Sequence, residues 1–214
     1  MNRLTKNKYE NKHLHQFVNQ VAKLATRHDI NVRFIQKRFV STEGLLISGF
    51  FRSEPGELVV AIRKPEKEWS LVLAHEFCHM QQWINGTRAW TQTISRHGID
   101  TSSIIDIWLN GLCELSEKQK KDVFHKTINL EFECEKMTVE LFKKHPAFAD
   151  VNIAEYIQKA NAYLYFYYYV ARHRKWPTGK VPQEIWKKMP TTFQKGYLTY
   201  PYTRLYESAY GARR

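Results

Sequence analysis

Three side chains within five consecutive residues could together carry out hydrolytic chemistry. His75 and His79 lie four residues apart in the segment His-Glu-Phe-Cys-His. On an α-helix this spacing places both imidazoles on one face, one turn apart, so both can bind the same metal ion. Glu76 lies beside the first histidine, where it can accept a proton from a water molecule without being a ligand itself. The segment therefore predicts a metal site with an adjacent general base.

Two histidines leave such a site one protein ligand short, because catalytic zinc usually has three protein ligands and a water. We predict Glu131 as the third ligand. It lies 52 residues after His79, and Glu135 follows one helical turn later on a face that is otherwise mostly apolar. Burying two carboxylates is costly unless they meet a cation or strong hydrogen-bond donors. The alternative is a surface helix whose charges do not face the core.

Glu135 is the substitute ligand if the helix is rotated relative to this prediction. Glu133 points about 160° away from Glu131 around the helix and is not expected to bind metal. Two of the three cysteines, Cys78 and Cys134, lie next to these residues in sequence. Both are interpreted as small buried packing residues, with thiolate ligation as the less favoured alternative. The cysteines are too few and too irregularly spaced for a disulfide framework, which favours a reducing compartment.

These motifs carry a resemblance to a known family. His75-Glu76-x-x-His79 followed by Glu131-x-x-x-Glu135 resembles the gluzincin branch of zinc metallopeptidases. The resemblance implies that Zn²⁺ is bound by the two histidines and Glu131, and that Glu76 is the general base in peptide-bond hydrolysis. In that family an acidic residue one turn after the glutamate ligand, usually aspartate, orients a histidine of the first motif. Glu135 occupies that position here and is expected to orient a histidine without touching the metal.

The resemblance covers roughly residues 45–142, and the whole chain is similar to uncharacterised metallopeptidases of the kind that bacteriophages carry. Gluzincins also use a downstream Tyr, His or Arg to stabilise the oxyanion of the reaction. Four side chains on one side of a predicted aromatic helix are candidates for this role, and the sequence does not choose among them: Tyr163, Tyr167, His173 and Arg174.

The elements that must position these residues can be predicted from periodicity and from helix-capping residues. Apolar residues at spacings of three and four predict a helix over 12–28, and three strand-like runs follow, with Pro55-Gly56 forming a tight turn between the last two. Pro65 begins the motif helix, which ends near Asn85-Gly86. The strand-like runs span 30–36, 45–52 and 58–63. A loop is predicted at 87–101, and further helices are predicted over 102–112, 116–145, 152–174 and 182–188.

The predicted fold class is α+β: a small antiparallel sheet followed by a predominantly helical, zincin-like domain with the metal site between two helices. We expect a single domain over 1–214, with residues 1–10 frayed and 176–214 forming a less regular C-terminal extension. The chain has 214 residues, 43% of them hydrophobic, which is ample for a packed core.

No apolar run approaches the about 18 residues that span a bilayer, and the N-terminus lacks the apolar region of a secretory signal. We therefore expect no membrane association and a cytoplasmic location, which is the host cytoplasm if a phage encodes the chain. The expected partner is a peptide or protein substrate, and the oligomeric state stays open. The net charge of +12 supports an alternative function: a catalytically silent, peptidase-like protein that binds nucleic acid or an acidic partner. A third interpretation is a structural helix whose histidines bind nothing.

Overall fold

The computed structural model describes residues 12–42, 45–95, 97–176, 181–193 and 203–211. The expected frayed segment 1–10 lies outside these ranges. The contacts of the chain group into two compact units. The first comprises Met1–Asn85 and Met137–Val151, and the second comprises Gly86–Lys136 and Asn152–Arg214. Among the described residues, no helix combines the length and the apolar composition needed to cross a bilayer.

The first unit begins with helix α1, which buries Phe17 and Val21 on its apolar face, as its periodicity predicts. A three-stranded sheet follows in the order β1-β5-β4, with β2 and β3 forming a separate antiparallel pair. The bounds are α1 Lys12–Arg27, β1 Asn31–Ile35, β2 Val40–Thr42, β3 Leu45–Ile47, β4 Gly49–Arg52 and β5 Glu57–Ala61.

The sheet differs from the predicted antiparallel one because β1 and β5 are parallel. Parallel strands cannot be joined by a tight turn, so no short turn motif in the sequence predicts their pairing. The antiparallel hairpin of β4 and β5 is confirmed, with Gly56 at a positive φ of 74° in its turn. The run 45–52, predicted as one strand, is divided at Ser48: β3 pairs with β2, and β4 pairs with β5.

Helix α2, Glu66–Ile84, carries the histidine motif and packs against β4 and β5. It begins after Pro65 and ends at Asn85, so both predicted ends are confirmed. The same unit contains the last residues of α5 and the short 3-10 helix Pro146–Phe148.

The second unit is helical in its described residues. Its bounds are α3 Arg88–Thr91, α4 Thr101–Leu109, α5 Glu117–Lys144, α6 Ile153–His173, α7 Gln183–Trp186 and α8 Thr203–Gly211. The helix α5 continues from this unit into the first, which includes residues 137–144. The predicted loop at 87–101 contains α3, whose first turn is capped by the Thr87 hydroxyl. Asp100 caps α4, which the sequence predicted to span 102–112.

The predicted starts of α5 and α6 are confirmed by capping hydrogen bonds. Ser116 and Gln119 form a reciprocal capping box, and Asn152 Oδ1 accepts a hydrogen bond from Glu155 N. The aromatic residues of α6 pack in the core of this unit, and burial raises the pKa of Tyr168 and of Tyr169. The helix α8, in the tail predicted to be irregular, joins that core through Tyr206, whose hydroxyl donates to the Ala162 carbonyl.

Candidate metal centre

The two motif histidines lie side by side on α2. Their ring centroids are 4.7 Å apart and their planes are nearly perpendicular, at 85°. His79 is only 7% exposed, and His75 is partly buried. The buried residues Leu73, Phe77 and Met80 anchor the same helix in the core. The predicted arrangement of two imidazoles on one face of a fixed helix is therefore present.

A buried glutamine orients the second histidine. His79 Nδ1 lies 2.9 Å from Gln82 Oε1, and Gln82 has no exposed surface. A carbonyl oxygen can only accept a hydrogen bond, so Nδ1 carries the proton and Nε2 keeps its lone pair for a metal. Metal-binding histidines usually have such an acceptor behind them. This role of Gln82 was not predicted from the sequence, although its position three residues after His79 places it on a neighbouring part of the same helix.

Glu76 lies beneath strand β4 and is 8% exposed. A Cβ added to Gly49 of this strand would lie 3.5 Å from Glu76 Cγ. The same Cβ would lie only 2.7 Å from both Val59 O and Val72 Cγ1, too close for a carbon atom. Glycine therefore permits the close packing of β4 on α2 beside the predicted base.

The two imidazoles of α2 are ligands that zinc commonly takes, so the chemistry of these donors fits this metal. Cys134 lies on α5, in the second unit, and is fully buried.

The carboxylates of α5 occupy distinct environments. Glu131 is partly buried, with Oε2 shielded from solvent. Glu135 is 5% exposed, and its Oε2 accepts a hydrogen bond of 2.7 Å from the Tyr156 hydroxyl. Glu133 forms a half-exposed ion pair with Lys136, at 2.9 Å. The roles of Glu131 as a ligand and of Glu135 behind a histidine stay predictions.

The four oxyanion candidates have contacts within their own unit. The Arg174 guanidinium donates to the carbonyls of Trp108 and Cys113 and pairs with Glu114. This residue also ends α6 in a left-handed conformation, so its contacts fit a structural role. The other three interact through their rings or hydroxyls: His173 stacks on Tyr169, and Tyr163 and Tyr167 form a hydroxyl pair at 3.2 Å.

Comparison with known proteins gives no relative. No protein-family model matches the sequence, and searches of curated proteins and of solved structures found no significant match. The resemblance to gluzincins stays a prediction from the motif residues.

Proposed function

We propose that this protein is a zinc-dependent metallopeptidase with a zincin-like arrangement around α2. The observation that carries the proposal is the juxtaposition on α2 of two histidines, with ring centroids 4.7 Å apart, and the buried carboxylate of Glu76. A helix with two histidines one turn apart and a glutamate beside the first is a motif that recurs in enzymes that catalyse metal-assisted hydrolysis.

When bound, zinc lowers the pKa of water to about 7 and polarises a carbonyl group. His75 and His79 hold the ion, and Gln82 keeps His79 in the tautomer that presents Nε2. Glu76 accepts the proton lost by the attacking water and passes it to the leaving amine. The burial of Glu76 limits competing solvent around this carboxylate.

The sheet supports a peptide as the substrate. β4 is at an edge of the three-stranded sheet, and Gly49 brings this strand next to Glu76. An extended peptide can add to a sheet edge through main-chain hydrogen bonds. A peptide bound in this way places its carbonyl groups near the proposed base.

Replacement of the base tests this function. Glu76→Gln should retain bound zinc and lower the cleavage rate about 10²–10⁴-fold, because it removes the proton acceptor but none of the proposed ligands. Cleavage of a broad peptide library by the zinc-loaded protein is followed by mass spectrometry. Glu68→Gln, an exposed change on the same helix, is the matched control and should cleave at the parent rate. Unchanged cleavage by Glu76→Gln excludes Glu76 as the base.

A second candidate function follows from the net charge of +12: binding of nucleic acid or another acidic partner by a catalytically silent protein. Parent protein that holds zinc, cleaves no peptide and binds DNA or RNA with a steep salt dependence would favour this function over the first.

A further inference from the structure

A groove of about 530 Å³ is lined by α1 and α2, and all of its lining residues belong to the first unit. Phe77 and Gln81 line it from α2 and lie about 200° and 240° around that helix from His75, so the groove is on the face away from the two histidines. Phe17 contacts Phe77 edge-on, with ring centroids 5.5 Å apart, and so joins the two helices. One stripe of α1 forms the rest of the lining: Gln16, Asn19, Gln20, Lys23, Leu24 and Arg27.

Most of the polar side chains in this groove are available to bind a ligand. Five of them have no hydrogen bond or ion pair with another residue in the described part of the chain. Three are amides, which both donate and accept hydrogen bonds, as the main chain of a peptide does. The other two are exposed cations near the C-terminal end of α1. The five side chains are Asn19, Gln20, Lys23, Arg27 and Gln81.

We propose that this groove binds an extended, acidic segment of polypeptide, so that the protein has a peptide-binding site separate from its metal centre. From Gln16 to Arg27 the stripe rises about 17 Å, which is the length of about five residues of extended chain. The amides bind the main chain of the segment, and its carboxylates pair with Lys23 and Arg27 through charge-assisted hydrogen bonds. Leu24, which is partly buried, contacts an apolar side chain of the segment.

The lining favours a peptide over a nucleic acid. Proteins that bind single strands stack the bases on accessible aromatic rings. Among the described lining residues the aromatic side chain is that of Phe77, which is 2% exposed and has no face open to a base. The site uses neither the metal nor Glu76, so the inference goes beyond the proposed function and can be tested independently of it.

Fluorescence anisotropy of a short labelled peptide tests the groove. The probe alternates glutamate and threonine over about six residues, to match the length of the stripe. The protein is the full-length, zinc-loaded Glu76→Gln variant, which lacks the proposed base and should leave the probe intact. We expect saturable binding, and binding about tenfold weaker when glutamine replaces glutamate in the probe, because the charge-assisted hydrogen bonds are lost.

Charge reversal in the same background locates the site. Lys23→Glu combined with Arg27→Glu should weaken binding of the acidic probe about tenfold or more, because repulsion replaces two attractive pairs. The matched control, Lys118→Glu combined with Lys121→Glu, makes the same change of net charge at exposed positions of α5 and should bind like the unreversed protein.

Two milder changes accompany the reversal. Lys23→Gln combined with Arg27→Gln removes the charges without introducing repulsion and should weaken binding by a smaller factor, which keeps the test valid if the reversed protein does not fold. Gln20→Ala should weaken the acidic probe and the glutamine probe by similar factors, because its amide binds the main chain that both share. Far-ultraviolet circular dichroism checks the fold of each variant.

The outcomes separate this inference from the proposed function. An acidic probe that does not bind, equal losses in the groove and control variants, or tighter binding of an oligothymidylate of matching length would overturn the peptide site. Binding that is lost only in the groove variants supports it, whether or not the parent protein holds zinc or cleaves peptides. Peptide cleavage by the parent protein without any probe binding supports the proposed function and contradicts this inference.

Discussion

At the scale of single residues, the spacing of His75 and His79 was sufficient to predict that they share a helix face, because helix geometry fixes which residues are neighbours. The spacing of Glu131 after His79 was not sufficient to establish it as a ligand, because a contact between residues on different helices depends on tertiary packing that spacing does not specify. The role of Gln82 was also missed, because a side-chain hydrogen bond depends on rotamers that sequence does not specify.

The hydrogen bond from His79 to Gln82 gives a prediction at this scale. Gln82→Ala should weaken zinc binding about 10–100-fold, because Nδ1–H loses its acceptor and the imidazole is no longer held in one tautomer. Gln82→Glu should restore much of the affinity by supplying a new acceptor. Zinc competition with a chelator measures both. Gln81→Ala, a change at the adjacent and more exposed position, should bind zinc like the parent; an equal loss in this variant would refute a specific role for Gln82.

At the scale of secondary structure, helices were predicted best where their ends carry a capping residue. Ser116, Asn152 and Pro65 each mark a helix start that the structure contains. Short helices such as α3 were missed because four residues provide too little periodicity. The parallel pairing of β1 with β5 was missed because it joins strands separated by 21 residues, from Ile35 to Glu57, with another strand pair between them.

The contact of β4 with α2 gives a prediction at this scale. Gly49→Ala should lower the free energy of unfolding by about 1–3 kcal/mol, because its Cβ would overlap Val59 O and Val72 Cγ1. It should also lower the cleavage rate per bound zinc, since relief of the overlap shifts β4 from the helix that carries Glu76. Urea unfolding and peptide cleavage measure the two effects.

The variant combining Gly49→Ala with Val72→Ala removes one of the two overlaps. The loss of unfolding free energy in the double variant should be smaller than the sum of the losses in the two single variants. Strict additivity of the two changes, or a Gly49→Ala protein as stable and active as the parent, would contradict close packing at this position.

At the scale of the whole molecule, the sequence predicted the α+β class and a mainly helical second half, but nothing in its composition marks the two compact units. One boundary between the units, between Lys136 and Met137, lies inside the uninterrupted helix α5, so no linker marks it in the sequence. The net charge of +12 likewise describes the whole chain without selecting a partner. A metal ion bound by the folded state and not by the unfolded chain would add to the stability of the molecule.

The central claim is that α2 carries a metal site, and the zinc content of the purified protein tests it most directly. After zinc loading and exhaustive dialysis, elemental analysis should find one zinc per chain in the parent protein and in Glu76→Gln. His79→Ala should lose the metal, whereas His97→Ala, which changes an exposed histidine outside the site, should retain it. A parent protein that holds no zinc, or a His79→Ala protein that still holds one per chain, would contradict the claim.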